Sequence, residues 1–225
     1  MAARMSESFW KGRDTVVFDG EGVVIDTEPI WDKSQAEFLR RRGIRYDRDR
    51  LKPLLAGRSM REGVRLLQAE FGFPGDLSSL AAERVEIVRH VFLRDANFIP
   101  GFREFFERIR RKCKTCIATM MPEELLEPVV EKMQLRALFG EHIYSPDRHH
   151  VKSKPAPDLF LLAARNLGST SKRCIVIEDS PNGIEAAVRA QMFSIGLTTT
   201  FEPERLAAAD LVVGSFEDIP LPNES

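Results

Sequence analysis

An excess of charge of either sign, a disulfide framework and a long apolar run are all missing from this sequence. Lys and Arg number 33 against 34 Asp and Glu, for a formal net charge of −1 over 225 residues. That balance gives no broad electrostatic footprint for nucleic acid. Cysteine occurs three times, at Cys113, Cys116 and Cys174, an odd and sparse set. The Cys113-x-x-Cys116 spacing lacks the second pair of ligands a zinc site uses, so these thiols read as packing residues of a reducing compartment. No stretch approaches the roughly 18 apolar residues of a membrane span. Met1–Asp14 holds Arg4, Lys11 and Arg13 but no apolar core of signal-peptide length. The expectation is a cytoplasmic protein that engages neither membrane nor nucleic acid. Oligomeric state is left open, a monomer being the simplest case. A chain of this length buries roughly 70% of its unfolded surface without staples, and it carries no internal repeat.

What is present is an alternation of short apolar runs and helical patterns. Thr15-Val-Val-Phe18, Thr115-Cys-Ile-Ala-Thr119, Cys174-Ile-Val-Ile177 and Phe193-Ser-Ile-Gly-Leu197 are β-rich and too short for helices, with Leu211-Val-Val213 a weaker case. Continuous apolar runs suit parallel strands covered on both faces. Helical spacing appears in Phe102, Phe105, Phe106 and Ile109, in Leu125 to Met133 with Pro128 inside it, and in Leu159 to Leu167. Strands alternating with helices predict an α/β fold, a doubly wound, Rossmann-like parallel sheet.

Residues 28–97 break the alternation and show only helical stripes. Trp31, Gln35, Phe38 and Leu39 make one; Met60, Val64, Leu67 and Phe71 a second; Leu77, Leu80, Ala81, Val85, Val88 and Phe92 a third. Gly72-Phe-Pro-Gly75 reads as a turn between the last two. The expected organisation is an α/β core of residues 1–27 and 98–225 with an inserted helical bundle at 28–97.

Four polar clusters lie at or near the ends of these elements, where open α/β sheets bind ligands. They are Asp19-Gly-Glu-Gly22, Thr119, Lys154-Pro155 and Glu178-Asp-Ser-Pro-Asn-Gly183. Each alone has an ordinary reading as a turn residue or helix cap. Together and in this order they resemble the motifs of the haloacid dehalogenase-like superfamily, in its β-phosphoglucomutase and small sugar-phosphate phosphatase branch. The carriers are Val16-Val-Phe-Asp-Gly-Glu-Gly-Val-Val-Ile-Asp-Thr-Glu-Pro-Ile-Trp31, Lys154-Pro-Ala-Pro-Asp158 and Ile177-Glu-Asp-Ser-Pro-Asn-Gly-Ile-Glu-Ala-Ala187. The helical insert falls where that branch carries its cap.

The resemblance implies a Mg²⁺-dependent phosphohydrolase acting on a small phosphorylated metabolite, a sugar or polyol phosphate. It makes Asp19 the nucleophile that becomes an aspartyl phosphate. Mg²⁺ is held by Asp19, the backbone carbonyl of Glu21 and Asp179, with Glu178 orienting a bound water. Thr119 and nearby backbone N–H groups hold phosphoryl oxygens, and Lys154 neutralises them. The cap chooses the substrate, with Arg58, Glu28 and Met120 as candidate contacts. Cap closure excludes water.

Two departures from the family pattern stand out. Position 21 is Glu where the branch's phosphatases carry a second Asp as general acid–base. Glu keeps the chemistry but changes the reach. Three readings follow: a displaced acid–base, a changed reaction, or an enzyme that has lost most of its turnover. Met120-Met121 stands where small polar residues are usual, leaving the backbone N–H groups as the expected phosphate donors. A phosphosugar mutase and a catalytically weakened Mg²⁺- and phospholigand-binding protein are the alternative functions. His149 and His150 read as loop residues, since no further metal ligand accompanies them.

Overall fold

The computed structural model describes residues 9–55 and 60–222. Two compact units emerge from the contacts, Met1–Asp26 with Asn97–Ser225, and Thr27–Ala96.

The first unit is built on a six-stranded parallel sheet in the order β3-β2-β1-β4-β5-β6. The strands are β1 Thr15–Phe18, β2 Lys114–Ala118, β3 Ile143–Tyr144, β4 Cys174–Glu178, β5 Phe193–Leu197 and β6 Leu211–Val213. Strand β1 lies at the centre, pairing Phe18 with Ile117 on one side and with Ile177 on the other. Side chains alternate across a strand, and both faces of β1 are buried, which is why Thr15–Phe18 reads as an unbroken apolar run. Phe18 meets Phe102, Phe105 and Phe106 of helix α5, Phe102–Ile109, at ring centroid distances of 5.6, 6.3 and 6.1 Å. Val17 on the other face joins a core with Leu159, Phe160 and Ala163 of α9, Asp158–Asn166, and Ala186 and Ala187 of α10, Pro181–Arg189. The chain winds outward from β1 to β3, then returns to start the other half at β4. The β1/β4 boundary is therefore the switch point of the sheet, and the crevice beyond its carboxyl ends is the natural ligand position.

Further helices of this unit are α6 Glu123–Lys132, α7 Leu135–Phe139 and the single turn α8 Pro146–His149. Pro128 sits inside α6 without ending it. The two-residue β3 and short α7 were not foreseen, since neither is long enough to display a period.

The second unit consists of α1 Glu28–Arg40, α2 Arg48–Leu55, α3 Met60–Phe71 and α4 Leu77–Asp95. Trp31 of α1 meets Phe92 of α4 edge-on at 6.2 Å. Asp76 caps α4 by accepting from the Ser79 N–H at 2.9 Å. Helix α2 escaped the sequence reading because it is largely charged and buries just a few apolar side chains such as Leu51 and Leu55. The third stripe also needs correction. Helix α4 buries Leu80, Arg84, Ile87, Val88, Val91 and Phe92, whereas Val85 is 39% exposed. Arg84 follows Leu80 by four residues and lies on the inward face. Val85, one step further round, points out, and apolar identity alone misassigned it.

Candidate active site

Asp19 is the first residue beyond β1, and its N–H continues the ladder by donating to Ile177 O at 2.9 Å. A tight loop follows. Val24 and Ile25 N–H both donate to Gly20 O, and Gly22 N–H to Ile25 O. Gly22 has φ +75, and a Cβ there would stand 1.9 Å from Asp179 Oδ2 and 2.8 Å from Thr200 Oγ1. The loop can approach Asp179 because position 22 has no side chain. Gly20 is similarly closed in: a Cβ there would lie 2.6 Å from Thr119 Oγ1.

The ends of β1, β2 and β4 thus bring Asp19, Thr119, Glu178 and Asp179 together, all buried. Lys154 joins them from the segment before α9. Its ammonium donates to Asp19 Oδ1, to Glu178 Oε1 at 2.7 Å and to Ala118 O at 3.0 Å, and lies 4.8 Å above the Phe160 ring. Glu178 Oε2 accepts from Asp179 N–H, Ser180 N–H and the Ser180 hydroxyl at 2.8, 2.8 and 2.9 Å. With Lys154 on its other oxygen, Glu178 is engaged on both sides. Gly183, in the first turn of α10, makes room for that carboxylate, since a Cβ would sit 1.7 Å from Glu178 Oε1.

Three buried carboxylates face a single ammonium. Burial pushes Asp19 up to about 7 against the opposing pull of Lys154, and Glu178 adds to the rise. Burial likewise holds Asp179 well above the ordinary carboxylate range, reinforced by the charges of Glu178 and Asp19. Lys154 is raised because the favourable charges of Asp19 and Glu178 outweigh its own burial. Taking ions out of water costs several kcal/mol each unless the charge is matched, so an excess of buried negative charge calls for a cation. Asp19, Glu178 and Asp179 each offer an oxygen within 4.8 Å of the others. An all-oxygen carboxylate set fits Mg²⁺. Since Glu178 already accepts four hydrogen bonds, Asp19 and Asp179 are the carboxylates with most lone pairs to give.

Gly22→Ala should therefore destabilise the fold by about 1–3 kcal/mol, through left-handed strain and displacement of Asp179. It should also weaken Mg²⁺ uptake roughly 100-fold. Denaturant melts and a metal titration measure the two effects separately.

The other expected residues are distributed as follows. Glu21 is partly buried, and its carboxyl makes no hydrogen bond to a described residue. Burial raises it to about 7, with Lys154 lowering and Glu178 raising it. Met120 is 37% exposed and Met121 buried. The Met121 N–H, expected at a phosphoryl oxygen, donates instead to the Thr119 hydroxyl at 3.1 Å. Glu28 belongs to the helical unit, where its carboxylate is engaged by Lys52 and, at 3.4 Å, by Arg48. Arg58 lies outside the described residues. His149 Nδ1 stands 3.1 Å from Ser145 O, and its ring packs 5.2 Å from that of Tyr144, so it has structural partners. Cys116 and Cys174 are buried free thiols raised by desolvation, as packing residues would be. Thr199 and Thr200, which contact the Gly22 loop and Asp179, were missed although the run Thr198-Thr199-Thr200 is visible in the sequence.

Residues 13–191 match the family model of haloacid dehalogenase-like hydrolases. The chain belongs to that family. Among curated relatives, it is 29% identical to fructose-1-phosphate phosphatase YqaB of Escherichia coli (strain K12), covering 80% of this chain and 94% of that protein. It is 32% identical to (DL)-glycerol-3-phosphatase 2 of Arabidopsis thaliana, covering 79% of this chain and 76% of that protein. Among solved structures, a putative β-phosphoglucomutase from Thermotoga maritima superposes with a TM-score of 0.80 at 26% identity, covering 92% of this chain and 96% of that one. No helix among the described residues is long and apolar enough to cross a membrane.

Proposed function

We propose that this protein is a Mg²⁺-dependent phosphohydrolase that cleaves a small sugar or polyol phosphate through an aspartyl phosphate on Asp19. The carrying observation is a buried Asp19 at the switch point, ion-paired to Lys154 and grouped with Asp179 in an all-oxygen cluster. The fructose-1-phosphate and glycerol-3-phosphate phosphatases among its relatives support the substrate class.

In the first step an Asp19 carboxylate oxygen attacks phosphorus, and the bond from phosphorus to the substrate's alcohol oxygen breaks. Glu21, raised to about 7, is partly protonated near neutral pH and gives its proton to that leaving oxygen. In the second step the Glu21 carboxylate takes a proton from water as the water oxygen attacks phosphorus. The Asp19–phosphorus bond breaks and inorganic phosphate leaves. The Lys154 ammonium and the Thr119 hydroxyl balance charge on the phosphoryl oxygens. Asp19, Asp179 and the Glu21 backbone carbonyl would hold Mg²⁺, which would supply further neutralisation of the anionic group. Glu178 holds Lys154 and the Asp179–Ser180 backbone in place rather than giving a ligand oxygen.

Phosphate release from a panel of sugar, polyol and nucleoside phosphates tests this. Release should require Mg²⁺, stop with EDTA, and fall roughly 10²–10⁴-fold in Glu21→Gln. A mutase would instead require a bisphosphate and release little phosphate. The engaged Met121 N–H favours one alternative, a weakened phospholigand-binding protein. That reading takes over if the wild type is silent and Glu21→Asp is active.

Cation uptake should depend on pH. Asp19, at about 7, and Asp179 are raised above their unfolded values. In the metal-free protein such groups bind more protons folded than unfolded, so their contribution to stability is present at low pH and lost as pH rises through about 7. Mg²⁺ competes with those protons. It should raise the melting temperature strongly at pH 8 and hardly at pH 5.5, which parallel thermal melts with and without EDTA resolve.

A further inference from the structure

Past β5 the chain reads Thr198-Thr199-Thr200, three half-buried threonines whose hydroxyls go to three different places. Thr198 donates its N–H and its hydroxyl to Val213 O at 3.0 and 3.3 Å, fastening the start of the loop to β6. Thr199 donates its hydroxyl to Gly22 O at 2.5 Å. The Thr200 side chain lies beside the Asp179 carboxylate, whose Oδ2 is 1.9 Å from the point a Gly22 Cβ would occupy, and draws its pKa down. The Thr200 Oγ1 also lies 2.8 Å from that point. The loop after β5 therefore touches both sides of the acidic cluster, the Asp19–Gly22 loop and Asp179. Threonine suits that task because branching at Cβ leaves χ1 few choices.

We infer that Thr199 and Thr200 are positioning residues for the cation-binding oxygens. Thr200 aims the Asp179 carboxylate, and Thr199 fixes the Gly22 peptide and so the backbone that carries Glu21. The Thr198 hydroxyl bonds only Val213 O, a partner its own N–H also holds, and takes no part in that positioning. The inference rests on the reading of Asp19 and Asp179 as a Mg²⁺ site. Partners that orient metal-ligating groups typically change metal affinity 10–100-fold when removed, and these two hydroxyls belong to that class.

The test uses the full chain with Thr199→Val, Thr200→Val and, as a matched control, Thr198→Val. Each removes one hydroxyl at nearly constant volume. Calorimetric titration gives the Mg²⁺ dissociation constant, and melting in EDTA gives intrinsic stability. Thr200→Val should raise the dissociation constant about 10–100-fold and Thr199→Val roughly 10-fold. Thr200→Ser, which keeps the hydroxyl, should bind close to wild type, whereas Thr198→Val should lower the melting temperature and leave Mg²⁺ affinity unchanged. Thr200→Ala carries the same expectation if the valine is not tolerated. The inference is overturned if Thr199→Val and Thr200→Val bind as wild type does, or if Thr198→Val weakens binding as much as they do. A wild type that takes up no Mg²⁺ overturns the cation-site reading itself, and the inference with it.

Discussion

Asp19→Asn should lower phosphate release roughly 10⁴–10⁶-fold, the range seen when a residue essential to covalent chemistry is removed. An amide has no oxyanion to attack phosphorus, so the loss falls on turnover and no aspartyl phosphate forms. Intact-mass measurement after mixing with substrate checks the second point: a phosphoryl adduct in wild type under rapid quench, none in the variant. Stability moves the other way. Asp19 is raised to about 7 because burial outweighs Lys154, so the ionised carboxylate is a liability to the metal-free fold. Lys154 also donates to Glu178 at 2.7 Å and to Ala118 O at 3.0 Å, partners that the substitution does not remove. Without metal, Asp19→Asn should melt higher than wild type at pH 8 and lose that advantage at pH 5.5, where Asp19 is already protonated. A variant that melts well below wild type at pH 8 would show that the Lys154–Asp19 pair outweighs burial and like-charge repulsion.

Lys154→Met should be damaging on both counts. It leaves the carboxylates of Asp19, Glu178 and Asp179 buried without their ammonium, and stripping one partner from a buried ion pair costs about 3–5 kcal/mol. Methionine replaces the stem over Phe160 but none of the charge. The loss should be greatest above pH 7 and shrink toward pH 5, because the raised carboxylates then take up protons and cease to repel. Mg²⁺ should restore part of the stability at pH 8, since a divalent cation answers the same electrostatic deficit. Activity should remain low even with metal, as the ammonium proposed to balance the phosphoryl oxygens is gone. Denaturant melts across pH, with and without Mg²⁺, separate these effects. A pH-independent loss would show that Lys154 acts by packing on Phe160 rather than by charge.

Much of this was legible before any coordinates. The run Thr15–Phe18 announces a central strand because both of its faces are covered. Asp19, Glu178 and Asp179 are singled out as candidate site residues because charged residues end such runs, and the structure brings the three within 4.8 Å of one another. Val85 and Arg84 show the limit of that logic: hydropathy assigns the valine inward, but helix phase decides, and a long arginine stem fills the inward position. Helix α2 and strand β3 were invisible because a few buried residues make no period. The resemblance implies backbone N–H groups after Thr119 as phosphate donors, and local geometry points the Met121 N–H at the Thr119 hydroxyl.

By itself the chain's order determined the family, the parallel α/β core and the identity of the acidic and basic groups, since each is written in short segments whose neighbours are local. Only the tertiary structure decided that Lys154 bridges Asp19 and Glu178, that Glu178 is hydrogen-bonded on both oxygens, and that a threonine after β5 reaches back across 177 positions to the Gly22 loop. The physical reason is that these are contacts between the ends of different strands. Strand order and register bring them within hydrogen-bonding range, and neither is expressed in the local pattern of any one segment.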